Sequence, residues 1–170
     1  MTRYVALLRA VNVGGTGRLP MAELVQLCEE VGFSEIRTYI QSGNAVFSSR
    51  VGPGETKAAL ERRLQEHLGN PVSVALRDAS EMSAVVAANP FSVRQPTFTH
   101  VIFLDTPPAH DALDAVTGHA GEEMKLGRRE IYVYYPLGQG RSKLRIPGAA
   151  VGTARNMNTV AKLAAMAAPD

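Results

Sequence analysis

Apolar and polar positions change period several times along the chain, and each change marks an element. Tyr4 to Ala10 is a nearly continuous apolar run interrupted by Arg9, which predicts a mostly buried strand closed by the glycine-rich loop Asn12-Val13-Gly14-Gly15-Thr16-Gly17. After Pro20, the residues Met21, Leu24, Val25, Cys28 and Val31 recur at helical spacing, with Gly32 as a left-handed stop. Ile36 to Gln41 and Asn44 to Ser48 predict a hairpin about Ser42-Gly43. Leu60, Leu64 and Leu68 form the apolar ridge of a second helix between Gly52-Pro53-Gly54 and Gly69, and Val72 to Leu76 follows as a strand. The order βαββαβ suits a ferredoxin-like sheet with both helices on one face, because the right-handed crossover rule removes most other arrangements.

Asp78-Ala79-Ser80-Glu81 has the spacing of a capping box and predicts a short helix ending at Asn89-Pro90. The pattern then restarts. Phe98 to Leu104 reads as a strand, and Thr106-Pro107-Pro108 opens a helix carrying Ala109, Ala112, Leu113 and Val116. Glu123 to Leu126 pairs with Glu130 to Tyr135 across Gly127-Arg128. A last helix begins near Thr153 and buries Met157, Val160, Ala161 and Ala164. The expectation is an α+β chain of two βαββα units with ferredoxin-like character, in which helices pack on antiparallel or mixed sheets. Its N-terminal βαββαβ lobe spans 1–78, and its C-terminal α-βαββα lobe, with a basic tail, spans 79–170. The stretch from Pro136 to Gly152 stays unassigned, and loops of that length are often functional.

Composition narrows the class. A hydrophobic fraction of 45% with 20% charged residues supplies enough apolar surface to fold, which excludes wholesale disorder. No apolar run approaches the roughly 20 residues of a membrane-spanning helix, and no signal-peptide pattern opens the chain, so no membrane partner is expected. The single cysteine, Cys28, lies on the apolar stripe of the first helix and reads as core, which fits a reducing cytoplasm.

Charge changes the picture more. The net charge of +2 conceals a balance of 10 basic to 14 acidic groups over residues 1–124, or −4, against 8 basic to 2 acidic over 125–170, or +6. If the last helix starts near Thr153, Arg155 falls in its first turn, where a cation opposes the helix macrodipole unless an anion lies nearby. Arg155, Asn156, Asn158 and the exposed backbone N–H groups are therefore candidates for holding a phosphate or carboxylate, with Arg141, Ser142 and Lys143 joining them if their loop folds back. The loop after the first strand offers Asn12, Gly14 and Gly15, and Arg9 must find a partner or emerge at a sheet face.

Other chemistry finds no footing. The four histidines lack HExxH spacing, no cysteine cluster exists, and neither a GxSxG elbow nor a phosphate-loop motif is present. No catalytic residue, metal or cofactor is assigned. Asn44-Ala45-Val46-Phe47-Ser48 lacks the aromatic pattern of an RNA-recognition strand, and Tyr132 and Tyr134 read as core. The leading expectation is binding of an anionic ligand, either nucleic acid or a phosphorylated metabolite, through the basic C-terminal segment. One alternative is an enzyme acting on a small phosphorylated or carboxylated substrate in an interlobe cleft. Another makes the arginines purely structural.

Three segments carry a family likeness. They are Leu7-Leu8-Arg9-Ala10-Val11-Asn12-Val13-Gly14-Gly15 with Met21, then Arg37-Thr38-Tyr39-Ile40-Gln41-Ser42-Gly43-Asn44, and last Thr153 to Val160 with Lys162-Leu163. In these the chain resembles the bacterial family catalogued as domain of unknown function 1697, while departing from its usual tryptophan at Met157. The resemblance implies a two-part α+β fold of ferredoxin-like character and no particular activity.

Overall fold

The computed structural model describes residues 1–14 and 18–170. These fall into two compact units, one of 1–83 with 163–170 and one of 84–162. Two antiparallel four-stranded sheets and four α-helices packed against them give the α+β class that the hydrophobic periodicity predicts. No described helix is long and apolar enough to cross a membrane.

The first unit contains β1 (Thr2–Leu8), α1 (Met21–Glu30), β2 (Ser34–Thr38), β3 (Asn44–Ser49), α2 (Pro53–Leu68) and β4 (Val74–Asp78), with strand order β2-β3-β1-β4. Alternation along β1 turns Tyr4, Ala6 and Leu8 toward the helices, where Leu24, Leu27 and Cys28 of α1 and Leu60 and Leu64 of α2 join them in one core. Phe33 stacks on Phe47 in this layer with ring centroids 4.2 Å apart. Val5, Leu7 and Val46 on the opposite face are buried too, which is why β1 reads as a continuous apolar run. Both helices stop as their glycines require, Gly32 and Gly69 each having positive φ.

Next come α3 (Ala79–Ala87), β5 (Thr99–Phe103), β6 (Glu123–Leu126), β7 (Glu130–Tyr134), β8 (Thr153–Asn156) and α4 (Met157–Ala167), with the second sheet ordered β6-β7-β5-β8. The capping box at the start of α3 forms in both directions. Glu81 N–H donates to Asp78 Oδ1 at 2.8 Å, and Asp78 N–H donates to Glu81 Oε1 at 3.0 Å. One face of the second sheet buries Ile102, Leu104, Ile131, Val133 and Tyr135 beneath half-buried Leu113, Leu144 and Ile146.

Three expectations need correction. Residues 109–116 form no helix, 110–115 being successive turns, with Ala112 N–H bonding Ala109 O and Asp114 N–H bonding Asp111 O. The run between Pro108 and Gly118 is short, and Asp111, Asp114 and Thr117 are poor helix formers, so nucleation is not repaid. Second, Thr153 to Asn156 is a strand, because it completes the ladder of β5 by pairing Phe103↔Thr153, Ile102↔Ala154 and Val101↔Arg155. The helix begins only at Met157, where Asn156 Oδ1 caps it by accepting from Thr159 N–H at 3.0 Å. Third, β1 stops at Leu8, which puts Arg9 beyond the strand, and β4 runs on to Asp78, which puts Arg77 inside one.

Candidate functional site

The residues singled out from the sequence fall in three segments, one in the first unit and two in the second. In the first unit β1 runs out into a left-handed backbone, Ala10 and Asn12 having φ of 56° and 55°, and the facing turn carries Ile40 at 52°. Non-glycine residues seldom adopt this conformation, so three of them within two touching loops need a structure that enforces it. Asn12 does much of this. Its Nδ2 donates to Leu19 O at 2.7 Å and Gln41 O at 2.8 Å, while its Oδ1 accepts from Leu19 N–H at 2.6 Å. Fully buried Asn44 secures the second loop by donating to Tyr39 O at 2.9 Å and Ser42 Oγ at 2.8 Å. Gly43 closes the contact, since a Cβ there would lie 2.5 Å from Val11 Cγ2. Arg9 and Gly14 are exposed around this pinned pair of loops, and Gly15 lies outside the described residues.

In the second unit Arg155 is buried at 8% exposure, and it no longer sits at a helix N-terminus, so the macrodipole conflict does not arise. Its Nη1 donates to Thr153 Oγ1 at 2.8 Å and to Ala154 O at 2.9 Å within its own strand. Burial pushes its pKa down to about 10, which leaves it cationic at neutral pH. Asn156 serves as the cap of α4, and exposed Asn158 donates to Thr97 Oγ1 at 3.1 Å.

Arg141, Ser142 and Lys143 lie where a 3-10 turn (Gln139–Arg141) passes into extended chain. Ser142 Oγ donates to Glu122 Oε1 at 2.7 Å. That bond, and after it the Ala120 N–H at 2.6 Å, hold the Glu122 carboxyl below the usual carboxylate range. Arg141 and Lys143 on either side of Ser142 are exposed. So are Lys125, Arg128, Arg145 and Lys162, and among the described residues none of these six cations is ion-paired. In the first unit Arg3, Lys57 and Arg63 pair with Glu35, Glu61 and Glu30.

The remaining chemistry is sparse. Among the described residues no group of His, Cys, Asp or Glu could hold a metal ion. Burial raises the Cys28 thiol to about 12, which leaves almost no thiolate to act as a nucleophile. Three residues were not read as notable from the sequence. Arg77 is fully buried in β4, Glu122 anchors the basic segment, and His100 has a buried Nδ1 without a hydrogen-bond partner among the described residues. Arg77 escapes a linear reading because the apolar run of its strand ends at Leu76. A carboxylate immediately before a strand carries no local signal of its long-range bond.

The sequence pattern of a family described as Protein of unknown function (DUF1697) matches residues 1–132. The chain belongs to this family. The DUF1697 match contains both pinned loops and ends within β7. The conserved bacterial protein SP0830 from Streptococcus pneumoniae is similar in structure, with a TM-score of 0.81 at 24% identity over 98% of this chain and 99% of that one. At this identity the likeness is one of fold. No curated protein sequence matches the chain.

Proposed function

We propose that the chain binds an anionic ligand, nucleic acid or a phosphorylated metabolite, through the exposed basic segment of the second unit. The observation that carries this reading is the set of exposed cations without ion pairs over 125–162, in a chain whose first unit pairs several of its own. Unneutralised like charges repel one another, and an incoming anion relieves that repulsion while releasing its counterions. Arg141 and Lys143 are the leading contacts, because the Ser142 to Glu122 bond fixes the chain between them. Arg155 contributes by holding β8 in place, consistent with its burial. The strand order of the first sheet, with α1 and α2 in its crossovers, supports a ferredoxin-like description of the first unit, and the second sheet repeats that strand order.

Retention on immobilised heparin, DNA and RNA tests the proposal. The protein is expected to bind at low salt and elute as salt rises, with Arg141→Gln/Lys143→Gln eluting earlier. Passage through all three matrices at about 50 mM salt, where electrostatic contacts to phosphate are strong, would overturn it.

A further inference from the structure

Between Arg141 and Ile146 exposure alternates strictly. Arg141, Lys143 and Arg145 are exposed, whereas Ser142, Leu144 and Ile146 are half-buried. The inward set is anchored, Ser142 on Glu122 and Leu144 and Ile146 on the core of the second sheet. The backbone is extended at Ser142 (φ −78°, ψ 139°) and at Ile146 (φ −114°, ψ 99°). Arg145 and Thr117 exchange both backbone hydrogen bonds, at 2.9 and 3.0 Å, as an isolated antiparallel bridge. Gly118 closes against the same segment so tightly that a Cβ would stand 2.0 Å from Lys143 O.

In extended chain, alternate side chains leave the same face, about 6.6 Å apart. Lys143 and Arg145 follow this spacing, and Arg141, at the end of the 3-10 turn, precedes them, so three exposed cations succeed one another within about 13 Å of clamped backbone. A single phosphate calls for cations that converge on one point, and these three follow one another along the segment at every second residue. A phosphodiester strand repeats its charge at regular intervals, so several of its phosphates can be met at once.

Resting on the anion-binding reading above, we infer that Arg141, Lys143 and Arg145 form a comb for consecutive phosphates of a nucleic-acid backbone. The alternating segment holds no aromatic residue to stack on a base, so recognition is independent of sequence. Because the chain is fixed before binding, little backbone entropy is lost on contact. The shared chemistry is a run of phosphodiesters, which either a single strand or a duplex supplies.

The test uses the full chain with a fluorescently labelled oligothymidine of about twelve nucleotides, and with its duplex, followed by anisotropy from about 50 to 200 mM salt. Three phosphate contacts predict that log K falls against log salt with a slope near −2 for the single strand and nearer −3 for the duplex. The arm bound more tightly at equal length and equal salt identifies the source. Arg141→Gln, Lys143→Gln and Arg145→Gln should each reduce the slope by about 0.7 on the single strand, while Arg62→Gln, an exposed cation on α2 of the first unit, should leave it unchanged. Thermal melts of each variant separate lost contacts from lost folding. If thymidine monophosphate or pyrophosphate displaces the oligomer at equal molar concentration, the comb is refuted and anion binding stands. If neither nucleic acid nor these small anions bind at about 50 mM salt, both readings fall.

Discussion

His100 shows how one residue can carry a cost that its local sequence hides. It lies on β5 opposite Val133 and Asn156, its ring meets Tyr135 edge-on with centroids 5.2 Å apart, and its Nδ1 is buried without a partner. Burial pushes its pKa down to about 4 from 6.5. The folded protein therefore holds the neutral ring, while the unfolded chain takes up a proton near pH 6.5. This term of stability is complete above about pH 6.5, declines as pH falls toward 4, and totals about 3 kcal/mol. Urea titrations between pH 4 and 7 should show that slope in the native chain, and His100→Phe should flatten it while keeping the edge-on ring contact. An unchanged slope would remove His100 as its source. Gly118 is the backbone counterpart. At φ +72°, with Lys143 O in the place of a Cβ, it admits no side chain, and Gly118→Ala should lower stability by more than about 2 kcal/mol in a denaturant melt.

At the scale of elements, those with their determinants close together in sequence formed as read. The capping box of α3 is one, and its two hydrogen bonds lie within four residues. Asp78→Ala should reduce stability by about 1 kcal/mol in the same assay, with Glu81→Gln less costly because an amide still accepts. A loss below about 0.3 kcal/mol would mean that solvent satisfies the freed N–H groups equally well. The end of α4 is completed from far away. No basic residue stands in its last turn, and Arg37 and Arg3 instead donate to Met166 O and Ala168 O near its C-terminus. The misread elements share this dependence. Residues 153–156 have a sequence compatible with a helix start, yet the open edge of β5 takes them as a strand. Residues 109–116 begin with a plausible helix signal and find too few apolar partners to propagate it.

For the whole molecule, the two units repeat one design that their sequences barely display. Each sheet places its strands in the order second, third, first, fourth, all antiparallel. In each, an arginine on the fourth strand stands opposite a valine of the central strand, Arg77 facing Val5 and Arg155 facing Val101. Each also donates Nη1 to the carbonyl of the residue before it, at 2.9 Å. Sequence alone determined the α+β class, most strand and helix positions, the charge polarity and the basic character of 125–170, because these depend on periodicity and composition over short windows. Tertiary structure decided that Arg155 belongs to a buried strand and that Arg141, Lys143 and Arg145 are exposed while Ser142, Leu144 and Ile146 turn inward. Those outcomes depend on a free edge of β5, on Glu122 and on the Gly118 approach, partners that linear order does not bring together.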